Sequence, residues 1–206
     1  MHDKGVLAIV SGPSAAGKGT VVRRAMSIAA EIGQDVQLSI SMTSRGIKKD
    51  EEEGVTYYYV TRERFEEAIA GDELIEYNCY NGNYYGTPKK AIADRIERGS
   101  SVVLEIDVNG AEQVVKLFPD AVRIFIMPPS MGELEKRIRL RGRDTEEEIT
   151  QRLAKAKEEI PRAADYDYII INDIIEDAAG DLLNTIVSEK NRTIRKKWII
   201  DEVLGR

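Results

Sequence analysis

The longest apolar runs of the chain lack polar alternation. "VLAIV" (6–10), "SVVLEID" (101–107), "AVRIFIM" (121–127) and "DYIIIN" (167–172) read as strands covered on both faces, the pattern of a parallel sheet. Between them the apolar period becomes helical. Val22, Met26, Ala29 and Ala30 mark a helix within "GTVVRRAMSIAAEIG" that stops at Gly33, and "NGAEQVVKLF", "MGELEKRIRLRG" and "TEEEITQRLAKAKEEI" are further helical stretches. Strands alternating with helices predict an α/β fold, a parallel sheet wound with helices. "AAGDLLNTIVSEKNRTIRKKW" reads as one final helix, and its basic cluster between Arg192 and Lys197 as a solvated helix end favoured by the macrodipole.

Between residues 41 and 90 the texture changes. This segment is rich in Tyr, Gly and Asn, and its short strand-like runs "TYYYV" and "LIEYNCY" bracket a helix, "RERFEEAIAG". It reads as a small inserted α+β lobe. The charged, glycine-containing stretch "RIRLRGRDTEEE" has the composition of a mobile flap. The expected organisation is therefore one domain over 1–206, with a core (1–40, 91–136 and 153–206), a lobe (41–90) and a lid (137–152).

Composition narrows the function classes. With 206 residues, 42% hydrophobic and 32% charged, the chain suits one domain with a sizeable core. A net charge of -6 argues against a protein that coats nucleic acid or an anionic membrane. A single cysteine, Cys79, excludes an internal disulfide, and a single histidine, His2, leaves no zinc-site spacing. With no membrane-spanning run and no signal-peptide pattern, the expectation is a cytoplasmic protein, monomer or homodimer.

The candidate chemistry is in "SGPSAAGKGT" (11–20). Gly12 and Gly17 with Lys18 have the spacing of a phosphate loop, between a buried-type strand and a helix. Glycines let the backbone N–H groups approach a polyphosphate, the helix N-terminus favours negative charge, and the lysine reaches the outer phosphates. Position 19, where the common pattern has Ser or Thr for a metal ion, is Gly19, and the hydroxyl comes one residue later at Thr20. The loop alone leaves the reaction open, because motors, switches and kinases share it.

Beyond the loop, "SISMTSR", "GVTYYYV", "LIEYNCYNGNYYGT", "VVLEIDVNGA", "IFIMPPS", "RIRLRGRDTEEEITQRL" and "IIIND" follow in an order and spacing that resembles the guanylate kinases. That resemblance implies transfer of the terminal phosphoryl group of ATP to GMP, with Mg2+ and with ATP and GMP as the small-molecule partners. On the donor side it implies ATP binding by Gly12, Pro13, Ser14, Ala15, Ala16, Gly17, Lys18, Gly19 and Thr20, with Asn172 near the adenine. For the acceptor it implies guanine recognition by Glu76 and Thr87, with Asp107 also at the GMP site. The carboxylate can accept from guanine N1–H and N2 amino together and the hydroxyl can donate to O6, a combination adenine does not match. The GMP phosphate is expected on Ser41, Arg45, Tyr57 and Tyr85, and for transfer the resemblance implies Lys18, Arg137, Arg141 and Arg152. Glu105 and Asp107 are candidates to hold the magnesium's water shell, with no direct protein ligand assigned.

Two departures stand out. The family usually has a second arginine in "TRxPR", whereas this chain reads "SRGIKK", with Lys48 at that position and Ile47 for the proline. Lysine keeps the charge and loses the bidentate fork. The acidic run Glu51 to Glu53 is read as a solvated turn, Tyr58, Tyr59 and Tyr84 as lobe packing, and Arg139 and Arg143 as solvated. The competing readings are a related kinase with another acceptor, either a different nucleoside monophosphate or a phosphorylated sugar, and a non-catalytic phosphopeptide-binding module. The intact phosphate loop opposes the module.

Overall fold

The computed structural model describes residues 3–49, 51–80, 82–142 and 144–206. His2 and Arg143 lie outside the described residues. The core is a five-stranded parallel sheet in the order β2-β7-β1-β8-β9, formed by Val36–Leu38, Ser101–Glu105, Leu7–Ser11, Val122–Met127 and Tyr168–Ile171. β1 is buried at every position, as its unbroken apolar run requires. Helices α1 (Lys18–Glu31) and α7 (Ile175–Glu189) cover one face, where Val22, Ala25, Leu182 and Ile186 close over Ala8 and Ile124 of the sheet. On the other face α3 (Lys89–Glu97) and α4 (Val108–Leu117) contribute Ile92, Ala111 and Val114 against Ile9 and Leu104.

A second sheet is built from residues between Met42 and Pro88, in the order β4-β3-β6-β5 (Tyr58–Tyr59, Met42–Thr43, Asn83–Pro88, Leu74–Tyr80). Helix α2 (Arg62–Ala70) closes it: Phe65 is fully buried and stacks on Tyr84 at 5.1 Å, and Tyr58 packs in the same cluster. Helices α5 (Met131–Leu140) and α6 (Glu146–Glu159) pack on each other through Leu134, Ile138, Ile149 and Ala156. Ala15 of the phosphate loop belongs to this last cluster, so the pair is seated against the loop.

Two expectations are corrected. The run "DYIIIN" is an edge strand covered on one face: Ile170 is buried, while Ile169 and Ile171 are 53% and 60% exposed. The final helix is three pieces, α7, α8 (Thr193–Lys196) and α9 (Trp198–Leu204). The break follows Glu189, which is buried, accepts a 2.6 Å bond from the Tyr168 hydroxyl, and draws Arg192 and Arg195 back toward it. Arg195 also donates to the Asp120 carbonyl, and Lys196 pairs with Asp3, so part of the basic cluster fastens the C-terminal segment to the core.

Candidate active site

β1 ends at Ser11, and residues 12–17 wrap into α1 at the carboxyl edge of the sheet, where α/β folds place their ligands. The wrap depends on two glycines. At Gly12, with φ of 147°, an added β-carbon would stand 2.3 Å from the Ile126 carbonyl oxygen of β8. At Gly17, with φ of 88°, it would stand 2.3 Å from Asn172 Nδ2. Pro13, Ala15 and Ala16 are buried in the wrap, and Ala15 itself has a positive φ of 69°. Gly19 is half-buried and Thr20 exposed at the start of the helix.

Lys18 folds back over the loop, its Nζ donating to the carbonyls of Gly12 (2.6 Å) and Pro13 (3.2 Å). Burial pushes its ammonium below the ordinary lysine pKa, and Glu105, Glu159 and Asp107 pull it back up. Arg141 adds to the lowering. Asn172, expected near the adenine, stands against the back of the loop. Its side chain is buried beneath the loop and donates from Nδ2 to the Ala16 carbonyl at 2.7 Å, so it fixes backbone shape.

A cavity of about 450 Å³, within the range of small-ligand sites, opens between the second sheet and the core. Ser41, Tyr57, Glu76, Tyr85, Glu105 and Asp107 are among its walls. Glu76, on β5, is buried and accepts a 2.6 Å bond from the Thr87 hydroxyl. Burial raises the Glu76 carboxyl pKa, Thr87 opposes the rise and Asp107 adds to it. Thr87 is fully buried behind this carboxylate, so its hydroxyl acts on Glu76 rather than on an open surface. Asp107 caps α4 by accepting from Gly110 N at 2.8 Å, and Glu76 Oε2 and Asp107 Oδ1 both lie 3.5 Å from where a β-carbon of Gly110 would be. The two carboxylates thus converge over a backbone with no side chain between them.

Glu105, at the carboxyl end of β7, lies between this cavity and the loop. Both of its oxygens come within 3.4 Å of the position of a Gly19 β-carbon, and Arg23 Nη1 comes within 3.2 Å of the same point. Burial raises the Glu105 carboxyl pKa, and Lys18 and Arg23 oppose it. Among the described residues no group of three His, Cys, Asp or Glu side chains could hold a metal ion. An ion here would therefore depend on substrate oxygens and water, with Glu105 and Asp107 as outer acceptors. A carboxylate beside the bare Gly19 backbone fits that arrangement.

Arg152 spans from α6 to the loop. It donates from Nη1 to Ser14 Oγ at 3.0 Å and pairs through Nη2 with Asp144 at 3.0 Å. Arg137 is held by Glu133 at 3.0 Å, and Arg139 is bridged to Glu135 and Glu146 rather than free in solvent.

At the phosphate end expected of the lobe, Arg45 lies over Tyr57 and Tyr59, and Tyr57 meets Tyr85 edge-to-face at 5.9 Å. The Lys48 side chain is exposed, and both Lys48 and Arg45 lie outside the cavity walls; Lys48 meets Arg45's partner Glu51 through its backbone N–H, which donates to Oε2 at 2.9 Å. The acidic run is not uniformly solvated. Glu51 is mostly buried against Arg45, with Nη2 to Oε1 at 2.7 Å, and takes the Tyr59 hydroxyl at 2.9 Å, while the Tyr59 ring packs edge-to-face on Tyr57 at 5.9 Å.

Sequence reasoning did not single out Glu51, Arg23 or Asp144. Arg23 had a local signal, being one helical turn after Gly19 on the same face. The other two have none, since their contacts depend on how loops fold back.

The family model for guanylate kinase matches residues 4–189. The chain is 46% identical to the guanylate kinase of Carboxydothermus hydrogenoformans, covering 96% of this chain and 95% of that protein. It is 44% identical to the guanylate kinase of Clostridium acetobutylicum, over 100% and 97%. The crystal structure of guanylate kinase from Anaplasma phagocytophilum superposes with a TM-score of 0.74 at 34% identity, over 94% of this chain and 90% of that one. Likeness that runs from Lys4 to Glu189, through the loop, both sheets and the paired helices alike, means that this chain belongs to the guanylate kinase family.

Proposed function

We propose that the protein is an ATP:GMP phosphotransferase, giving ADP and GDP. The observation that carries this reading is one cleft with a phosphate loop at one side and the buried Glu76 carboxylate, backed by Thr87, at the other. An ionised Glu76 accepts from guanine N1–H and N2 together, while adenine offers no such pair of donors. Leaving a buried acceptor unmatched costs a few kcal/mol, which rejects the wrong base by orders of magnitude.

The donor triphosphate lies on the backbone N–H groups of residues 12–20. Its oxygens replace the Gly12 and Pro13 carbonyls as acceptors for Lys18. Arg137, Arg141 and Arg152 bring positive charge to the transferring group from the lid, and Arg152 already reaches the loop at Ser14. Ser41, Arg45, Tyr57 and Tyr85 receive the acceptor's phosphate, with the exposed Lys48 as an outer charge. A loose phosphoryl transfer needs little proton chemistry, so alignment and positive charge supply most of the acceleration. Mg2+, when bound with ATP, neutralises and orients the outer phosphates, and Glu105 and Asp107 would hold its water shell. Asn172 supports the donor site by fixing the loop.

Among the described residues no helix is long and apolar enough to cross a membrane. A coupled assay of ADP release with ATP, Mg2+ and a panel of GMP, dGMP, AMP, UMP and ribose bisphosphate tests the reading. GMP-dependent turnover is expected, and ADP release no higher with GMP than without it would sink the proposal.

A further inference from the structure

Of the acids between Glu51 and Glu53, only Glu51 turns inward. Its side chain is 17% exposed and that of Arg45 16%. Oε1 accepts from Arg45 Nη2 at 2.7 Å, and Oε2 accepts from the Tyr59 hydroxyl and the Lys48 backbone N–H, both at 2.9 Å. Arg45 is held at its other end too, Nη1 donating to the Gly46 carbonyl at 2.7 Å. The guanidinium carbon stands 5.7 Å from the Tyr57 ring centre and 6.0 Å from that of Tyr59. These bonds tie down two of the five guanidinium N–H donors, and the hydroxyl of Tyr85 is within reach of the same group.

Resting on the reading that this cleft takes GMP, we infer that Glu51 is a positioning residue for the acceptor's phosphate, acting through Arg45. Two features argue for this. Glu51 is anchored independently of Arg45 by Tyr59 and the Lys48 amide, so it is a fixture of the lobe and not a loose counter-ion that substrate displaces. The guanidinium it holds stands over the ring of Tyr57, and Tyr57 meets Tyr85 edge-to-face in the cavity wall. An arginine already immobilised loses less side-chain freedom when it grips a ligand. The device matters more in this chain than where a second arginine follows, because Lys48 offers a mobile point charge in that place.

The opposite reading of the same contact is that Glu51 competes with phosphate for Arg45, and the two differ in sign. The experiment is steady-state kinetics of Glu51→Gln beside the unaltered protein, with guanosine and GMP binding measured by calorimetry. Positioning predicts that KM for GMP rises about ten-fold, with a smaller change in kcat, while KM for ATP and guanosine affinity stay unchanged. A lowered or unchanged KM for GMP would overturn the inference, as would equal losses for GMP and guanosine, which would indicate general damage to the lobe. If Glu51→Gln fails to fold by circular dichroism, Tyr59→Phe, which removes one anchor of Glu51, is scored in the same way. A rise of a few-fold in KM for GMP supports positioning, and no change overturns it. Absence of GMP-dependent ADP release from the unaltered protein would instead overturn the kinase reading, and this inference with it.

Discussion

The hydroxyl of Thr87 and the carboxylate of Glu76 share a 2.6 Å hydrogen bond behind the wall of the cavity between the two sheets, eleven residues apart in sequence and on adjacent antiparallel strands. That bond sets a pH limit. Burial raises the Glu76 pKa and Thr87 lowers it again. Only the ionised carboxylate accepts both guanine donors, so KM for GMP is expected to rise as pH falls through the raised pKa. In Thr87→Val the opposing effect is gone and this acid limb moves to higher pH. A series of KM measurements from about pH 4 to 8 checks it, and a limb that stays in place or moves to lower pH contradicts it.

Glu76→Gln tests base recognition directly. The amide has one acceptor oxygen and sets an NH2 group against a guanine donor, so kcat/KM for GMP is expected to fall by about 10²-fold or more. Burial disfavours the charged form of Glu76, so the stability it confers is full below its unfolded pKa near 4.5 and is lost as pH rises from there through the raised native value. Melting curves should therefore show Glu76→Gln matching or exceeding the parent at neutral pH.

Lys18→Met should remove most of the transfer activity while leaving the fold intact. The loss expected for removing one preorganised charge is about 10² to 10³ in kcat. The substitution also removes a buried ammonium whose acceptors are two loop carbonyls, so the melting temperature should not drop greatly. Near-normal turnover by coupled assay, beside an unchanged circular dichroism spectrum, would contradict the role assigned to this residue.

Arg152 is held between Asp144 and Ser14, which makes its contact with the loop separable. Arg152→Ala is expected to lower kcat by about 10²-fold or more with little change in KM for GMP. Asp144→Asn, which leaves the arginine in place and loosens it, should show a smaller fall in the same parameter. Full kinetics of both variants decide, and a larger loss from Asp144→Asn would reverse the assignment.

The Arg45 guanidinium beside Glu51 holds that carboxyl down at about 2, below its ordinary 4.5. A depressed carboxylate pKa stabilises above the unfolded value, and that contribution is lost as pH falls from 4.5 through about 2. The melting-temperature difference between parent and Glu51→Gln is therefore expected to be constant above about pH 5.5 and to shrink through that acid window. A difference that persists undiminished to pH 2 would show that another group carries it.

Much of this could be read from local pattern. Buried-strand runs located β1, β7 and β8, because a strand covered on both faces must be apolar throughout. The loop's glycines announced a backbone that side chains would block, and Gly12 and Gly17 meet neighbours at 2.3 Å as such a backbone implies. What pattern could not supply was pairing at long range. Asn172 reaches Ala16 across 156 positions and Arg152 reaches Ser14 across 138, and neither periodicity nor composition encodes such contacts. Edge position left Ile169 and Ile171 uncovered although their run looks as buried as the others. Glu51 was hidden for a related reason: three adjacent acids look alike in sequence, and only the fold of the turn selects which of them faces an arginine.

The phosphate loop is pressed from behind by a carbonyl of β8 and an amide side chain that follows β9, both far along the chain. It is thus a local string with a distant mould. Transplanted between some other strand and helix, "GPSAAGKGT" would bring its glycines and lysine but leave Ile126 and Asn172 behind, and the ring of N–H groups would have nothing to hold its diameter. A minimal nucleotide binder cut from this protein would have to keep β8 and the end of β9 along with β1 and α1.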